Sequence, residues 1–362
     1  MQQYLDLLKE VLAEGEIQRD SRTGVVRLGL LGAQRKFYLD EGFPIVTTKQ
    51  VGFNWVADEL FWKLQGNRDA HSLYVGRGVD IWNRNAFQKK LEREGNSLAS
   101  QKNTPRWEEE FLIYQESMKS PNFDPVDSDL GPVYGFQIRH WTRPDGKEVD
   151  QLKNLLDGLK SPNKKYGTYN FMTTLNAGEV QDMAIAPCPF GHVFSAYGDN
   201  VDSACTQRSC DVELGVPFNI TQESLLLAMV ARETGLKPRK FTHQYWNLHT
   251  YAGVPPRSDF ITNQSNLANF QKRFKKVDSP EGYLELRDWY LKNAPEESLC
   301  NERKDHIPFM LMQLSKPIHE SPKLVFKTDL PLLDLITKKS KEVVAIEGYT
   351  SEKWDSRAVM AA

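Results

Sequence analysis

Apolar residues recur at helical spacing in the first part of the chain and predict two helices there. Residues 2 to 14 place tyrosine, leucine and valine side chains on one stripe, which is typical of an amphipathic helix packed on a core. Residues 55 to 64 are mostly apolar and predict a buried helix that contains Glu59. A carboxylate inside an apolar helix is costly unless it is paired or used, so Glu59 is a candidate functional residue.

Alternating patterns and short apolar runs predict strands, with a long helix in the second half of the chain. Residues 25 to 37 contain Gly32 and predict a hairpin. A helix is predicted from about residue 221 to residue 234, with Glu223 in its first turn and Gly235 at its end. Further segments are predicted as strands: 168 to 175, 190 to 197, 202 to 207, 323 to 327 and 343 to 346.

Two polar, charge-rich stretches, at about 86 to 128 and 252 to 308, interrupt this pattern and are interpreted as helix-prone surface insertions. The remaining elements predict an α+β fold in which helices pack on a mixed, twisted sheet. The chain of 362 residues exceeds the usual size of one domain. We interpret residues 1 to 362 as a single domain that carries two insertions, with a division into two domains as the alternative.

The composition narrows the functional class. Apolar residues make up 40% and charged residues 26% of the chain, as in ordinary globular proteins, and a net charge of −2 argues against a general binder of nucleic acid. No apolar run reaches the roughly 18 residues that span a bilayer, and the acidic N-terminal segment does not resemble a signal peptide. The four cysteines lack metal-ligand spacing and are expected to be reduced thiols. We therefore predict a cytoplasmic protein with no metal, no membrane contact and no stable nucleic-acid partner.

One cysteine has a sequence context that suits chemistry. Cys188 lies between Pro187 and Pro189, which restrict the backbone and suit a side chain held in a fixed position for attack. Twenty residues later, Arg208 would hold a phosphate near this thiol and stabilise its thiolate form. A buried, inert thiol and an arginine in an ordinary salt bridge are the alternatives for these two residues.

Two later segments carry further candidates for binding. Asn219 precedes the predicted helix from residue 221, where it either caps the helix or reads the O4 and N3–H edge of a uracil ring with its amide. His249 and Tyr251 occupy alternate positions of a predicted strand, so their side chains point to the same face. A pair of core residues is the alternative for these two.

The order and content of these segments resemble the thymidylate synthase family. The longest match is the gapless block QRSCDVELGVPFNI at residues 207 to 220, which contains Arg208 and Asn219. The resemblance covers most of the chain, apart from the two predicted insertions. The other matching segments are Asp20 to Gly24, the helix with Glu59, DLGPVYG at 129 to 135, APC at 186 to 188, HTY at 249 to 251 and IEGY at 346 to 349.

The resemblance implies catalytic roles for five residues and a substrate of the dUMP class. Cys188 would add to C6 of the pyrimidine, so that C5 attacks the methylene carbon of 5,10-methylenetetrahydrofolate, the co-substrate. Glu59 and Tyr134 would move protons near O4 and C5. Asn219 would read the base, and Asp211 would bond the pterin. The family also implies a thymidylate synthase-like fold and a homodimer.

The family's binding residues carry over to two further groups of positions. The nucleotide would be bound at its phosphate, base and 3′-hydroxyl by Arg22, Gln207, Arg208, Ser209, Asn219, His249 and Tyr251. The reduced folate would be bound by Lys49, which would meet its glutamate tail, and by Ile81, Trp82, Asn85, Ile185, Asp211, Gly215, Phe218 and Ala362.

Several positions depart from the family's pattern. A second tryptophan of the folate site is Asn85 here, and the chain ends in the small Ala362. The histidine that commonly follows the nucleophile is Pro189. An arginine pair that the family lends across the dimer to the partner's phosphate aligns with Thr168 and Tyr169, so that corner of the phosphate site lacks its usual charges.

These departures bear on the product. Asn85 and Ala362 loosen the cavity, and a wetter cavity favours water addition, which gives 5-hydroxymethyl-dUMP, over hydride transfer, which gives dTMP and dihydrofolate. Trp82 is retained and favours the second route. Asn219 favours uracil, because cytosine-specific relatives tend to carry aspartate there. We predict a deoxyuridylate hydroxymethylase; the alternatives are a thymidylate synthase, a dCMP or CMP hydroxymethylase and a non-catalytic nucleotide-binding relative.

Overall fold

The computed structural model describes residues 1–19, 24–297 and 304–353. Its strands are β1 (Glu16–Arg19), β2 (Val26–Tyr38), β3 (Trp141–Thr142), β4 (Glu148–Val149), β5 (Phe171–Thr173), β6 (Pro189–Tyr197), β7 (Asn200–Asp211), β8 (Lys237–Tyr251), β9 (Lys323–Phe326) and β10 (Val344–Glu347). Its helices are α1 (Gln2–Glu14), α2 (Phe53–Leu64), α3 (Ala70–Arg77), α4 (Asn83–Arg93), α5 (Pro105–Ser117), α6 (Tyr134–His140), α7 (Gln151–Lys160), α8 (Gly215–Thr234), α9 (Asp259–Thr262), α10 (Gln264–Phe274), α11 (Pro280–Asn293), α12 (Ile307–Leu314), α13 (Leu332–Leu335) and α14 (Ser340–Val343). Within these ranges no helix combines the length and the apolar character needed to cross a membrane.

Six of the described strands form one mixed sheet in the order β1–β2–β8–β7–β6–β5. β7 and β8 run parallel, whereas the other neighbouring pairs in this sheet are antiparallel. α8 makes the crossover that a parallel pair requires, and it is buried along most of its length against the sheet and α2. The predicted α+β class, with helices packed on a mixed sheet, is therefore confirmed.

The predicted hairpin within residues 25 to 37 is wrong, because this segment is one continuous strand. β2 keeps a single antiparallel register with β8 on both sides of Gly32, from Leu31 opposite Asn247 to Ala33 opposite Tyr245. Gly32 adopts a φ of +84° without ending the pairing. The antiparallel neighbours of β2 in the sheet are β1 and β8.

The long helix begins at Gly215 rather than near residue 221, and this changes the setting of two candidate residues. Pro217 lies in the first turn, where a missing backbone N–H is tolerated, so it does not delay the helix. Asn219 is consequently inside α8 and is not its N-cap. Glu223 is not in the first turn either, but is buried further along the helix.

The first predicted insertion backs onto an aromatic cluster beside the main core. The main core lies between the sheet and α1, α2 and α8. α4 and α5 bring Phe87 and Trp107 together, with ring centroids 5.1 Å apart. These rings belong to the same buried cluster as Trp62, Trp82 and Tyr134. The insertion thus supports the wall that carries Trp82 and Tyr134.

The second predicted insertion leaves and re-enters the body at neighbouring points. Ala252, which directly follows β8, forms an antiparallel bridge with Asp305. Asp305 is buried and accepts hydrogen bonds from Arg257 Nε (2.7 Å) and from the Tyr290 hydroxyl (2.9 Å). Burial raises the pKa of the Asp305 carboxyl, and the charge of Arg257 acts in the opposite direction. A buried, fully bonded carboxylate therefore fixes the point of return.

Candidate active site

The loop before β6 holds Cys188 at two backbone atoms. Its N–H donates to the Tyr134 hydroxyl (2.7 Å), and its carbonyl accepts from the Arg208 N–H (2.8 Å). The Cys188 side chain is partly exposed, whereas Cys205 and Cys210 are buried. Burial also raises the pKa of the Cys205 and Cys210 thiols, which keeps them protonated. Among the described cysteines, Cys188 is therefore the one that a ligand can reach.

The Arg208 guanidinium is hydrogen-bonded to the segment that precedes Cys188. Its Nε donates to the Pro187 carbonyl (3.0 Å), and its Nη2 donates to the Ala186 carbonyl (2.6 Å). A guanidinium has five N–H groups, so these two bonds leave donors for an anion. Arg208 was expected at the nucleotide phosphate, and the structure adds that it fixes the position of the Cys188 loop.

The DLGPVYG segment carries Tyr134 to this loop because two of its glycines allow close backbone contacts. A Cβ on Gly131, whose φ is +76°, would lie 1.9 Å from the Asp182 carbonyl oxygen. A Cβ on Gly135 would lie 2.5 Å from the Lys63 carbonyl oxygen in α2. Larger residues at these positions would separate α6 from α2 and from the chain that leads to the nucleophile.

Glu59 lies in a buried, hydrogen-bonded cluster on α2. Its Oε1 accepts from the Trp82 indole N–H (2.9 Å) and pairs with the Lys63 ammonium (2.9 Å). Its Oε2 accepts from Gln222 Nε2 (2.7 Å), and Lys63 also donates to Gln222 Oε1 (2.9 Å). The Lys63 ammonium lies 4.6 Å from the centre of the Tyr134 ring. The buried carboxylate is thus paired, and its cluster extends to the tyrosine that contacts the nucleophile loop.

Tyr134 keeps its proton at neutral pH. Burial and then the neighbouring Cys188 raise the pKa of its hydroxyl well above the ordinary value, with Arg208 acting in the opposite direction. The hydroxyl oxygen accepts the Cys188 N–H, so its own proton remains for donation. A carboxylate at Glu59 and a neutral hydroxyl in one cluster beside a thiol are the groups that general acid–base chemistry at a nucleophile requires.

A chain of hydrogen bonds leads from Asn219, in the second turn of α8, into the sheet. Gln207 Nε2 donates to Asn219 Oδ1 (3.0 Å) and to the Ser209 carbonyl (2.9 Å). Gln207 Oε1 lies 2.8 Å from His243 Nε2. Gln207 and His243 are buried, whereas Asn219 is half-buried. The Asn219 amide, which is expected to read the base, is therefore held by Gln207, and Gln207 is held in turn by His243.

His243 gives a prediction for the pH dependence of stability. Burial lowers the pKa of His243 to about 3, although the charge of Glu223 acts in the opposite direction. Since the unfolded chain binds this proton with a pKa of about 6.5, stabilisation that is complete above that pH is lost as the pH falls toward the folded value. We expect the free energy of unfolding of His243→Phe to fall less steeply between about pH 6 and pH 4 than that of the wild type, by up to about 1.4 kcal/mol per unit. Urea unfolding measures both slopes, and equal slopes would contradict the burial argument.

A second buried polar group lies beside His243 on the same face of the sheet. Cys205 on β7 pairs with His192 on β6 and with His243 on β8. His192 Nδ1 lies 3.0 Å from Glu223 Oε2. Burial alone would raise the pKa of the Glu223 carboxyl, but His192, followed by His243 and a nearby lysine, lowers it. His192, Cys205 and Glu223 bring donor atoms within 4.8 Å of one another, a set that could ligate a metal, although the His192–Glu223 bond already accounts for two of the three.

The remaining nucleotide-site candidates lie toward the ends of β7 and β8. The rings of His249 and Tyr251 are buried and lie edge to face, with centroids 5.4 Å apart, so the two side chains are neighbours. His249 Nδ1 lies 3.0 Å from the Asn247 carbonyl oxygen. Ser209 is half-buried, and its backbone carbonyl accepts the hydrogen bond from Gln207 described above. Arg22 lies outside the described residues.

Two of the expected folate residues have structural partners at the start of α8. Asp211 Oδ1 accepts from the N–H groups of Glu213 and Leu214 (both 3.1 Å), which fixes the entry to the helix. Lys49 is buried, and its ammonium lies 3.1 Å from Glu213 Oε1. A contact between Lys49 and a glutamate tail would require this ion pair to open.

The other expected folate residues differ in exposure. Trp82 is buried, with its N–H on Glu59, whereas Ile81 just before it is 41% exposed. The half-buried members of the set are Asn85, Ile185, Gly215 and Phe218. Ala362 lies outside the described residues, and Thr168 and Tyr169, at the corner of the expected arginine pair, are exposed.

Sequence reasoning missed three side chains that complete these networks, namely Lys63, Gln222 and His243. Lys63 lies one helical turn after Glu59 in the same apolar helix, and Gln222 lies in the apolar part of α8. The test that singled out Glu59, a polar residue inside an apolar helix, would have found both. His243 alternates with Phe241 and Tyr245 on the buried face of β8, a pattern that also marks it as buried.

The chain was compared with known protein families. A family model described as "Thymidylate synthase" matches residues 2–361, which is nearly the whole chain. The match includes both predicted insertions and every element that carries a site residue described above.

Proposed function

Because the chain belongs to the thymidylate synthase family, a family of one-carbon transferases, we propose that it transfers one carbon from 5,10-methylenetetrahydrofolate to C5 of dUMP and releases 5-hydroxymethyl-dUMP. The observation that carries this proposal is the setting of Cys188. A partly exposed thiol has its backbone fixed by Tyr134 and Arg208, and Tyr134 joins it to the buried Glu59 cluster. A reaction that needs a nucleophile, a carboxylate and a neutral proton donor finds them in one contiguous group.

The residues act on the nucleotide in a fixed order. The Cys188 thiolate bonds to C6, and the electron pair displaced from the C5–C6 bond makes C5 nucleophilic. Asn219 holds the base through hydrogen bonds at O4 and N3. Tyr134 and Glu59 take part in transferring the proton that leaves C5. C5 bonds to the methylene carbon of the folate; as the C5 proton leaves, the bond between that carbon and the folate nitrogen breaks, which releases tetrahydrofolate and leaves an exocyclic methylene group on C5. Water then adds to the exocyclic methylene carbon and the sulfur leaves C6, which restores the thiolate and the aromatic ring.

The folate fits the chemistry of the residues around this point. A flat pterin needs an apolar wall and a hydrogen-bonding carboxylate, and Trp82, Ile185 and Phe218 with Asp211 offer both. The proposal of water addition rests on Asn85, a half-buried amide where an aromatic ring would exclude water. Methyl transfer is the second candidate product, favoured by Trp82, which is buried beside Tyr134 with ring centroids 5.6 Å apart.

The proposed enzyme is a homodimer that uses the face of the sheet opposite α8. Phe171 pairs with Val193, so both side chains lie on one face, and about half of each is exposed. Trp246 is also exposed on β8, one residue from the buried Tyr245 and so on the opposite face. A row of exposed apolar side chains on one sheet face is typical of an interface between protein chains.

Product analysis tests the proposed function. We expect incubation of the purified protein with dUMP and methylenetetrahydrofolate to give tetrahydrofolate and a nucleotide in which a hydroxymethyl group replaces the C5 hydrogen, a mass gain of CH₂O that mass spectrometry detects. If dTMP and dihydrofolate are the sole products, methyl transfer is the correct reaction. If the nucleotide binds but no tritium leaves C5-labelled dUMP, the chain is a non-catalytic relative and the proposal fails.

A further inference from the structure

We propose that His243 is a positioning residue that sets the base preference of the site, through Gln207 and Asn219, toward a pyrimidine with an acceptor at C4 and an N–H at position 3. This inference rests on the proposed function, since it concerns the nucleotide that Asn219 reads. His243 is buried in β8, behind Gln207, and does not itself contact the base. Its effect passes along the hydrogen bonds that end at the Asn219 amide.

One group in this chain has a role that does not depend on how the amides are oriented. The Ser209 backbone carbonyl can only accept, so the Gln207 atom that lies 2.9 Å from it must be the NH₂ group. The same NH₂ group faces Asn219 at 3.0 Å, and the Asn219 atom there must therefore be the carbonyl oxygen, Oδ1. Gln207 Oε1 then faces His243 Nε2 at 2.8 Å, and this nitrogen must carry the proton.

His243 is suited to anchor this arrangement because its own state is fixed. Burial keeps the ring neutral, with one N–H. Among the described residues, His243 Nδ1 has no hydrogen-bond partner, so the tautomer with the proton on Nε2 places that proton in the one bond the ring makes. The side chain thus supplies a single donor in a fixed direction, aimed at Gln207.

The orientation of Asn219 decides which base it can pair with. With Oδ1 held by Gln207, the Asn219 NH₂ group donates to an acceptor at C4, and the second lone pair of Oδ1 accepts from N3–H, as in uracil. Cytosine has an amino group at C4 and an acceptor at N3, so it requires the reversed amide. Reversal would put the Asn219 NH₂ against the Gln207 NH₂. Reversing Gln207 as well would put its carbonyl against that of Ser209, and His243 could then accept at Nε2 only as the other tautomer, with its Nδ1–H buried and without a partner among the described residues.

The experiment compares His243→Phe and His243→Gln with the wild type. C5-labelled dUMP and dCMP are supplied separately, and tritium release gives kcat/KM for each. Phenylalanine keeps the ring volume and removes the donor, so we expect the preference for dUMP over dCMP to fall by at least about 10-fold. Glutamine restores an N–H donor at similar reach, so we expect it to recover most of the preference. Tyr245→Phe is the matched control, because it removes a buried hydroxyl from the ring beside His243 that is not part of the chain to Asn219.

A preference that is unchanged in His243→Phe would overturn the inference, and so would an equal loss of turnover with both nucleotides, which indicates a structural role only. If His243→Phe does not fold, nitrogen NMR of the wild-type imidazole decides the question. A neutral ring with its proton on Nε2 supports the inference, and the other tautomer or a charged ring at neutral pH overturns it. If the wild type releases tritium from neither nucleotide, the proposed function itself fails, which is a different result from an unchanged ratio.

Discussion

Cys188→Ser is expected to reduce tritium release from C5-labelled dUMP by at least about 10³-fold, because a hydroxyl is a far weaker nucleophile than a thiolate at neutral pH. The substitution removes no hydrogen bond that holds the loop, since both bonds at residue 188 are made by its backbone. The variant should therefore fold normally and bind dUMP with an affinity close to that of the wild type. Isothermal titration of dUMP, run beside the exchange assay, separates binding from chemistry.

Cys205→Ala is the matched control for this prediction. Cys205 is buried in β7, and burial raises the pKa of its thiol, so the side chain has no route to a ligand. We expect its loss to lower stability through a small cavity and to leave exchange within a few fold of the wild type. Full exchange activity in Cys188→Ser would refute the covalent mechanism.

Lys63→Met is expected to lower the free energy of unfolding by about 3 kcal/mol, because it leaves the buried Glu59 carboxylate without its cation. Lys63 and Glu59 side chains are 9% and 12% exposed, so solvent cannot replace the lost partner. Gln222 Oε1 loses a donor at the same time. Since Glu59 would keep its bonds from Trp82 and Gln222 but lose the ion pair that helps to position it, we also expect kcat to fall by about 10- to 100-fold. Chemical denaturation and steady-state kinetics measure the two effects.

Lys153→Met tests whether this effect comes from burial rather than from loss of a lysine. Lys153 pairs with Asp157 at the same four-residue helical spacing, but the two side chains are 63% and 59% exposed. Exposed pairs of this kind contribute at most about 0.5 kcal/mol. If Lys63→Met and Lys153→Met lower the free energy of unfolding equally, the buried ion pair contributes no more to stability than the exposed one.

The fold was largely predictable because the apolar pattern in α1, α2 and the sheet strands agrees with the period of each element. The two errors have a common origin in local signals that the tertiary structure overrides. Gly32 was interpreted as a turn, yet β8 pairs with the strand on both sides of it. The helix was predicted to begin near residue 221 because Gly215 and Pro217 are residues typical of loops. Proline is nevertheless tolerated in a first helical turn, and α8 begins at Gly215.

Sequence reasoning can single out a residue of the candidate site where one side chain is unusual in its setting, but not where the contacts of a residue depend on distant neighbours. Glu59 was found because a carboxylate in an apolar helix demands a partner. Lys63 is in the same helix, but a lysine usually reaches water with its long stem, so its burial here is not evident from the sequence. The role of His243 depends on Gln207, which lies 36 residues away in sequence, and no local pattern carries that information.

The bridge between Ala252 and Asp305 has a consequence for how this chain can tolerate change in length. The segment between them begins and ends at neighbouring backbone positions. Its length is therefore not set by the position of β8, which ends at Tyr251. A shorter connector between the same two positions would have to keep Arg257 and Tyr290, because their hydrogen bonds hold Asp305 at the point of return. Phe270 and Phe274 of α10 also belong to the main core, so the segment can change in length only outside these contacts.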